Sequence, residues 1–114
     1  MIHYDRIPAF LTANPELELL IAGARGWLLQ GEEQQMVVVE FTETVEVPEH
    51  AHADQWEFAL AGKVELHRAG DTEVHEAGGN FFIPAGQPHG ATVHAGYRAL
   101  IVFDEPHRYV AKQT

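Results

Sequence analysis

The sequence contains no cysteine among its 114 residues. A framework of disulfide bonds is therefore excluded, and so is any metal site built on thiolate ligands. A metal ion bound to this chain would have to take its ligands from histidine, carboxylate, amide or water. The sequence supplies such groups freely, with eight histidines and 17 acidic residues.

Long apolar runs are missing as well. The longest, around residues 19–24, is far shorter than the roughly 20 residues that a helix needs to cross a bilayer. No basic segment with a small-residue cleavage site precedes it. We therefore expect a cytoplasmic protein that has no membrane partner.

Basic residues are scarce. Seven Lys and Arg stand against 17 Asp and Glu, which gives a formal net charge of −10 at pH 7. Between Glu32 and Glu57 there are eight acids and no Lys or Arg. A surface of this kind repels the phosphate backbone of nucleic acids. The sequence thus argues against a nucleic-acid partner, and solubility is the simplest explanation of the acidic excess.

The pattern that is present indicates an all-β fold. The length suits one domain, so we assign residues 1–114 to a single domain. The first 23 residues are hard to interpret, apart from a possible helical turn after Asn14-Pro15. From Arg25 onward, short segments rich in Val, Phe, Trp and Thr alternate with Gly, Pro, Asp and Asn, as in a β-sandwich or barrel. The predicted strands are 26–30, 35–41, 44–47, 55–60, 63–68, 72–76, 80–83, 91–94 and 98–103.

Five of the eight histidines have no claim on a site. Because successive residues of a strand face opposite sides of the sheet, the apolar residues of each strand identify its inward face. This test places His67, His75 and His94 on outward faces. His3 and His107 lie in the terminal segments.

The other three histidines have the spacing of metal ligands. His50 and His52 alternate, so in an extended chain they project to one side, and Pro48 could reset the parity of the residues before it. His89 lies on the apolar side of its strand, after a Pro-Ala-Gly-x-Pro turn in which Gly86 is expected at positive φ. Three imidazoles placed in this way can converge on one first-row divalent ion.

Two segments carry a family resemblance. They are His50-Ala-His52-Ala-Asp-Gln55-Trp-Glu-Phe-Ala-Leu-Ala-Gly62 and Gly79-Asn-Phe-Phe-Ile-Pro84-Ala-Gly86-Gln-Pro-His89. They resemble the two motifs of the cupin superfamily, which are G-x5-H-x-H-x3,4-E-x6-G and G-x5-P-x-G-x2-H-x3-N, and here they occupy about residues 47–62 and 79–93. The resemblance implies a small, antiparallel β-barrel of the jelly-roll or double-stranded β-helix type. It also implies one divalent metal ion, which could be Fe, Mn, Ni, Co, Cu or Zn.

The fourth ligand is where the chain departs from the motif. Counting back from Gly62 places Gln55 at the position of the usual Glu, whereas counting forward from His52 places Glu57 there. The two residues share a face of one strand. The resemblance to small cupins that read H-x-H-x-x-Q-W favours Gln55, which would bind through its side-chain oxygen. Glu57 would then serve as a general base or as a hydrogen-bond acceptor behind a ligand.

A neutral fourth ligand affects the expected chemistry, because three imidazoles and an amide leave the ion with its full positive charge and make it a stronger Lewis acid. We expect a metal-binding cupin that binds or acts on a small polar molecule, by Lewis-acid isomerase or lyase chemistry or by dioxygenase chemistry. The alternative is a non-catalytic cupin that senses a small molecule or acts through a partner protein.

The resemblance further implies a homodimer. We expect its interface at the apolar segment Leu17 to Ile21, together with Trp27. Trp56 and Phe58 lie on the face opposite Gln55, where they would pack beneath another strand or at a dimer contact. The run 81–83 is expected in the core.

Overall fold

The computed structural model describes residues 6–19 and 21–113. In this part of the chain there are nine strands and one helical turn, and no helix is long and apolar enough to cross a lipid bilayer. The elements are α1 (Ala9–Thr12), β1 (Ala24–Gln30), β2 (Gln35–Phe41), β3 (Val45–His50), β4 (Gln55–Ala61), β5 (Lys63–Arg68), β6 (Asp71–Glu76), β7 (Asn80–Ile83), β8 (His89–Val93) and β9 (Arg98–Phe103).

The strands form two antiparallel sheets. The larger has the order β1-β2-β9-β4-β7 and the smaller has the order β3-β8-β5-β6. All nine predicted strands are present, and the expectation of a small all-β jelly-roll barrel is confirmed.

The main core lies between the two sheets. Alternation along β5 buries Val64 and Leu66, each 2% exposed, and along β9 it buries Ala99 and Phe103, with Tyr97 buried just before the strand begins. Burying an aliphatic or aromatic side chain of this size contributes roughly 1.5–3 kcal/mol. The same alternation corrects the expectation for residues 81–83. Phe81 and Ile83 are buried, but Phe82 points outward and is 49% exposed.

The N-terminal segment differs from the expectation in two ways. The helical turn comes before Asn14-Pro15 rather than after it, because the chain turns on Pro8, whose carbonyl oxygen accepts from Leu11 N at 3.0 Å. The residues after Pro15 are extended instead. Leu17 forms an isolated antiparallel bridge to Ala111, and its neighbour Glu16 forms one to Trp27.

These bridges make the expected dimer interface wrong for two of its residues. Leu17 is 1% exposed and Trp27 is 5% exposed within the chain itself, so neither can contact a partner. Ile21 is 44% exposed, and Leu20 lies outside the described residues. The physical reason is that the N-terminal segment folds over the chain's own larger sheet, where Ile7 packs against Trp27.

A β-bulge lies where β3 meets β8. Val47 pairs with Ala91, but the next pair is His50 with His89, so β3 has one residue more than its partner. The extra residue falls next to Pro48 and resets the inward face, as the sequence predicted. Gly90 makes room for the bulge, since a Cβ at that position would lie 2.8 Å from the carbonyl oxygen of Val47. The pairing also extends β8 back to His89, two residues before its predicted start.

Candidate metal centre

Three histidines converge at one end of the barrel. His50 ends β3, His52 lies in the loop before β4, and His89 begins β8. One ligand nitrogen from each ring lies within 4.8 Å of the other two, and the ring centroids are 4.4–5.1 Å apart. The structure therefore brings together all three histidines singled out from the sequence.

The backbone fixes the tautomer of each ring. In every case Nδ1 lies within hydrogen-bond distance of a backbone carbonyl oxygen. These oxygens belong to Pro48, Ala53 and Gln87, at 2.9, 2.8 and 2.9 Å from His50, His52 and His89 respectively. A carbonyl oxygen can only accept, so Nδ1 carries the proton and Nε2 keeps its lone pair. All three rings thus offer Nε2 as the ligand atom, and the hydrogen bond from Nδ1 holds each ring in orientation.

The closest pair of these nitrogens is suited to a cation. Nε2 of His52 and Nε2 of His89 are 3.1 Å apart. Two nitrogens bonded at about 2.1 Å to one ion, at an angle near 90°, would lie about 3.0 Å apart. A shared proton is the alternative, but burial lowers the pKa of both His52 and His89 and disfavours it. The donor set therefore fits a divalent metal ion.

Gln55 and Glu57 lie side by side on β4, and their hydrogen bonds separate their roles. The Gln55 amide nitrogen donates to Oε1 of Glu57 at 2.7 Å, which leaves the Gln55 carbonyl oxygen as the free end of the side chain. Both Glu57 oxygens are engaged, because the hydroxyl of Tyr97 donates to Oε2 at 2.5 Å. Glu57 is not part of the histidine cluster. This arrangement favours Gln55 over Glu57 as the fourth ligand.

The Glu57 carboxyl is fully buried in this chain of hydrogen bonds. Burial raises its pKa to about 7, against the opposing effect of the Tyr97 and Gln55 hydrogen bonds. The pKa of Tyr97 is raised by burial and by the charge of Glu57. Sequence reasoning missed Tyr97, although it lies directly before β9, where the alternation of Ala99 and Phe103 extended by one step places it inward, and a buried tyrosine needs a partner for its hydroxyl.

The loops of the two motifs are tied together. The amide of Gly86 donates to the carbonyl oxygen of His52 at 2.9 Å, and the amide of Ala85 donates to Oδ1 of Asp54 at 2.7 Å. Gly86 has φ +79°, as predicted, a conformation that glycine adopts without strain. The turn before His89 therefore holds the loop that carries His52.

A cavity of ≈ 280 Å³ adjoins the histidine cluster at His50. Its walls are mainly aliphatic and aromatic, and they include Val39, Leu66 and Ile101. The polar side chains that line it are His50, Gln55, Glu57, Tyr97, Arg108 and Tyr109. Sequence reasoning missed Arg108, because the stretch after β9 shows no strand or helix pattern that would orient it.

The remaining histidines do not approach the cluster. His67 bonds to Thr72 and Thr92, while His75 and His94 each bond to a glutamate. His107 is exposed, and His3 lies outside the described residues. The assignment of the described ones away from the site is consistent with these contacts. The outward face expected for His75 is wrong, however, because Val74 is the exposed residue, at 56%, and the His75 ring packs against buried Phe81 with centroids 4.3 Å apart.

Comparison with known proteins identifies relatives by structure only. No protein-family model matches the chain, and no curated protein matches its sequence. An RmlC-like cupin from Shewanella frigidimarina superposes with a TM-score of 0.71 at 28% identity, over 84% of this chain and 87% of that one. KdgF from a Halomonas species gives 0.70 at 21% identity, over 81% and 86%. A variant of oxalate decarboxylase from Bacillus subtilis gives 0.64 at 18% identity, over 82% of this chain and 28% of that longer one.

The neighbours with identities below 25% show the fold, and the two motifs account for the convergence of the histidines within it. Two antiparallel sheets and structural neighbours that are cupins show that this chain has the cupin fold, with a three-histidine cluster at the end of the barrel.

Proposed function

We propose that His50, His52, His89 and the side-chain oxygen of Gln55 hold one divalent metal ion, and that a small molecule in the adjoining cavity is transformed there. The observation that carries the proposal is the convergence of three Nε2 lone pairs whose rings are each fixed by a backbone carbonyl. Nitrogen lone pairs directed at one point repel one another unless a cation lies between them.

The proposed chemistry is Lewis-acid catalysis. The ion, when bound, would polarise an oxygen of the small molecule. The protein's own part is to position the ligand side chains and to exclude water from the reacting groups. Glu57 holds the amide of Gln55 so that its oxygen stays free, and Tyr97 holds Glu57 in turn. The apolar walls of the cavity keep water from the reacting groups.

Elemental analysis of the purified protein tests the metal site. We expect one metal ion per chain, and its loss in a His50→Ala, His89→Ala double variant. A His67→Ala, His94→Ala double variant is the matched control, because those two histidines lie outside the cluster. Absence of metal from the wild type after reconstitution with each candidate ion would refute the site and favour the non-catalytic, ligand-sensing alternative. Oxygen uptake by the iron-loaded protein would separate oxygenase chemistry from Lewis-acid chemistry.

The choice of Gln55 as fourth ligand has its own test. Gln55→Ala removes the proposed ligand oxygen, whereas Glu57→Gln removes only a charge behind it. We expect metal affinity to fall more in the first variant, by about tenfold or more. A larger loss in Glu57→Gln would instead assign the carboxylate as the ligand.

We also infer a homodimer. Its interface would lie on the outer face of β4 and β7, in place of the N-terminal segment expected from the sequence. Trp56 pairs across the strands with Phe82, and the two are 48% and 49% exposed. Phe58 lies beside Trp56, with ring centroids 4.6 Å apart. Trp56 and Phe58 were expected either to pack beneath another strand or to lie at a dimer contact. No described strand covers these rings, so we retain the dimer contact.

A further inference from the structure

Arg108 differs from the arginines of this chain that form salt bridges. Arg25 and Arg68 each form a salt bridge to a glutamate. Arg108 forms no salt bridge or hydrogen bond within residues 6–19 and 21–113, and its Nε is buried without a partner. It lines the same cavity as His50 and Gln55. A half-buried cation without an anion therefore faces the site.

Two aromatic rings hold this guanidinium in place. Its central carbon lies 5.1 Å from the ring centroid of Phe103 and 5.2 Å from that of Tyr109. Stacking of this kind orients the planar group but satisfies none of its N–H donors, which lie in the plane at its edge. A donor left unmet in a buried position is unfavourable, so the arrangement calls for an acceptor supplied from the cavity.

We propose that Arg108 binds the carboxylate of a small organic acid, and that the molecules taken by this cavity are monocarboxylic acids with an apolar body. The inference rests on the proposed function, because it names the class of molecule that the same cavity accepts. A guanidinium presents two parallel N–H donors that match the two oxygens of a carboxylate. The aliphatic and aromatic walls match a hydrocarbon body.

The charges around the cavity favour a carboxylate over a phosphate. Arg108 is the one lysine or arginine among the described residues that line it, and Glu57 also lines it. A doubly charged phosphate is usually bound by several cations or backbone amides, whereas one guanidinium balances one carboxylate. On a chain of net charge −10, the local cation is also what makes binding of any anion favourable.

The test compares acids with their amides, which have the same shape but no charge. Butyrate, isobutyrate, isovalerate and hexanoate, each with its amide, and inorganic phosphate are titrated into the protein by calorimetry. The titrations use chelator-treated and zinc-loaded full-length protein. Arg108→Gln removes both the charge and the two parallel N–H donors of the guanidinium, whereas Arg108→Lys keeps the charge but not the paired donors. Arg25→Gln is the matched control, because Arg25 also stacks on an aromatic ring, Trp27, but is exposed and away from the cavity.

We expect at least one acid to bind the metal-free wild type about tenfold or more tightly than its amide. Arg108→Gln should lose this preference, Arg108→Lys should keep part of it, and Arg25→Gln should keep all of it. The ratio of acid to amide affinity on the wild type does not depend on how any variant folds.

Equal affinity for acid and amide, or a preference that survives in Arg108→Gln, would overturn the inference. So would phosphate binding more tightly than every acid, or no acid binding at about 10 mM. If zinc fails to bind while the Arg108-dependent preference remains, the proposed metal function fails and this inference stands. If zinc binds and the preference for the acid is absent, the proposed metal function stands and this inference fails.

Discussion

Removal of one hydroxyl group tests the buried hydrogen-bond chain behind the candidate site. Tyr97 is 1% exposed, and its hydroxyl donates to Oε2 of Glu57 at 2.5 Å. Tyr97→Phe keeps the ring and its packing against Phe41, whose centroid is 6.3 Å away. The substitution therefore removes a donor and little else, and leaves one carboxyl oxygen of Glu57 buried without a partner.

The magnitude follows from that orphaned oxygen. A buried acceptor left unmet costs about 1–3 kcal/mol, with the upper end applying to a charged group. For a domain of this size each kcal/mol corresponds to a Tm shift of about 4 °C, so we expect a Tm lower by about 4–12 °C. The assay is urea and thermal unfolding of the metal-free protein near pH 7.5. Tyr109→Phe is the matched control, because its hydroxyl has no hydrogen bond in the described part of the chain, and we expect it to change stability by less than about 0.5 kcal/mol.

A double-mutant cycle makes the result specific. In a Glu57→Gln background the hydroxyl of Tyr97 faces a neutral amide, so its removal should cost about 1 kcal/mol less than in the wild type. Equal costs in the two backgrounds would refute the reasoning, since the loss would then belong to the tyrosine's own environment. Equal costs of Tyr97→Phe and Tyr109→Phe would refute it as well.

Four further predictions concern pH, the bulge and the outer face. The pKa of Glu57, about 7, lies above the ordinary 4.5. The stability of metal-free wild type relative to Glu57→Gln is therefore highest below about pH 4.5 and falls as pH rises through 7, by about 3 kcal/mol in all. A difference that stays constant between pH 4.5 and 8 in urea unfolding contradicts this. Bound metal should be released as pH falls below about 6, because protons compete for the three Nε2 atoms, and full retention at pH 4 by equilibrium dialysis would show that other groups are the ligands. Gly90→Ala should lower stability by about 2 kcal/mol and weaken metal binding, since its Cβ would displace the Val47 carbonyl. Gly70→Ala has open space around its Cβ, and its φ of +79° costs an alanine about 1 kcal/mol of stability, but it should leave metal binding unchanged. Trp56→Glu should give a monomer in sedimentation velocity, whereas Val74→Glu, on the other sheet and 56% exposed, should not; a wild-type monomer would refute the dimer.

The sequence was informative wherever the signal was local. The alternation in Lys63–Arg68 was enough to assign the inward face of β5, and the spacing of His50 and His52, with Pro48 before them, was enough to expect the change of parity at the bulge. The motif that contains Gly86 predicted both the turn and the position of His89. In each case a few neighbouring residues determine the geometry.

The signal failed where distant segments meet. An apolar residue such as Leu17 can lie equally well at a dimer interface or in the core of its own chain. Its bridge to Ala111, far away in the sequence, places it in the core. Arg108 reaches the cavity because Phe103 and Tyr109 hold it there, and neither contact has a sequence pattern. Tyr97 could have been found from the inward face of β9, but its partner Glu57 lies on another strand.

The bulge between Val47 and His50 has a consequence for how far β3 can change in length. Val45 to Val47 pair regularly with β8, and the bulge absorbs one additional residue, so that His50 still faces inward opposite His89. Deletion of Glu49 would restore regular alternation from Val47 and would leave His50 on the same inward face. In this chain, therefore, the direction of the His50 side chain is set by its pairing with His89 and not by its distance along the sequence from Val47.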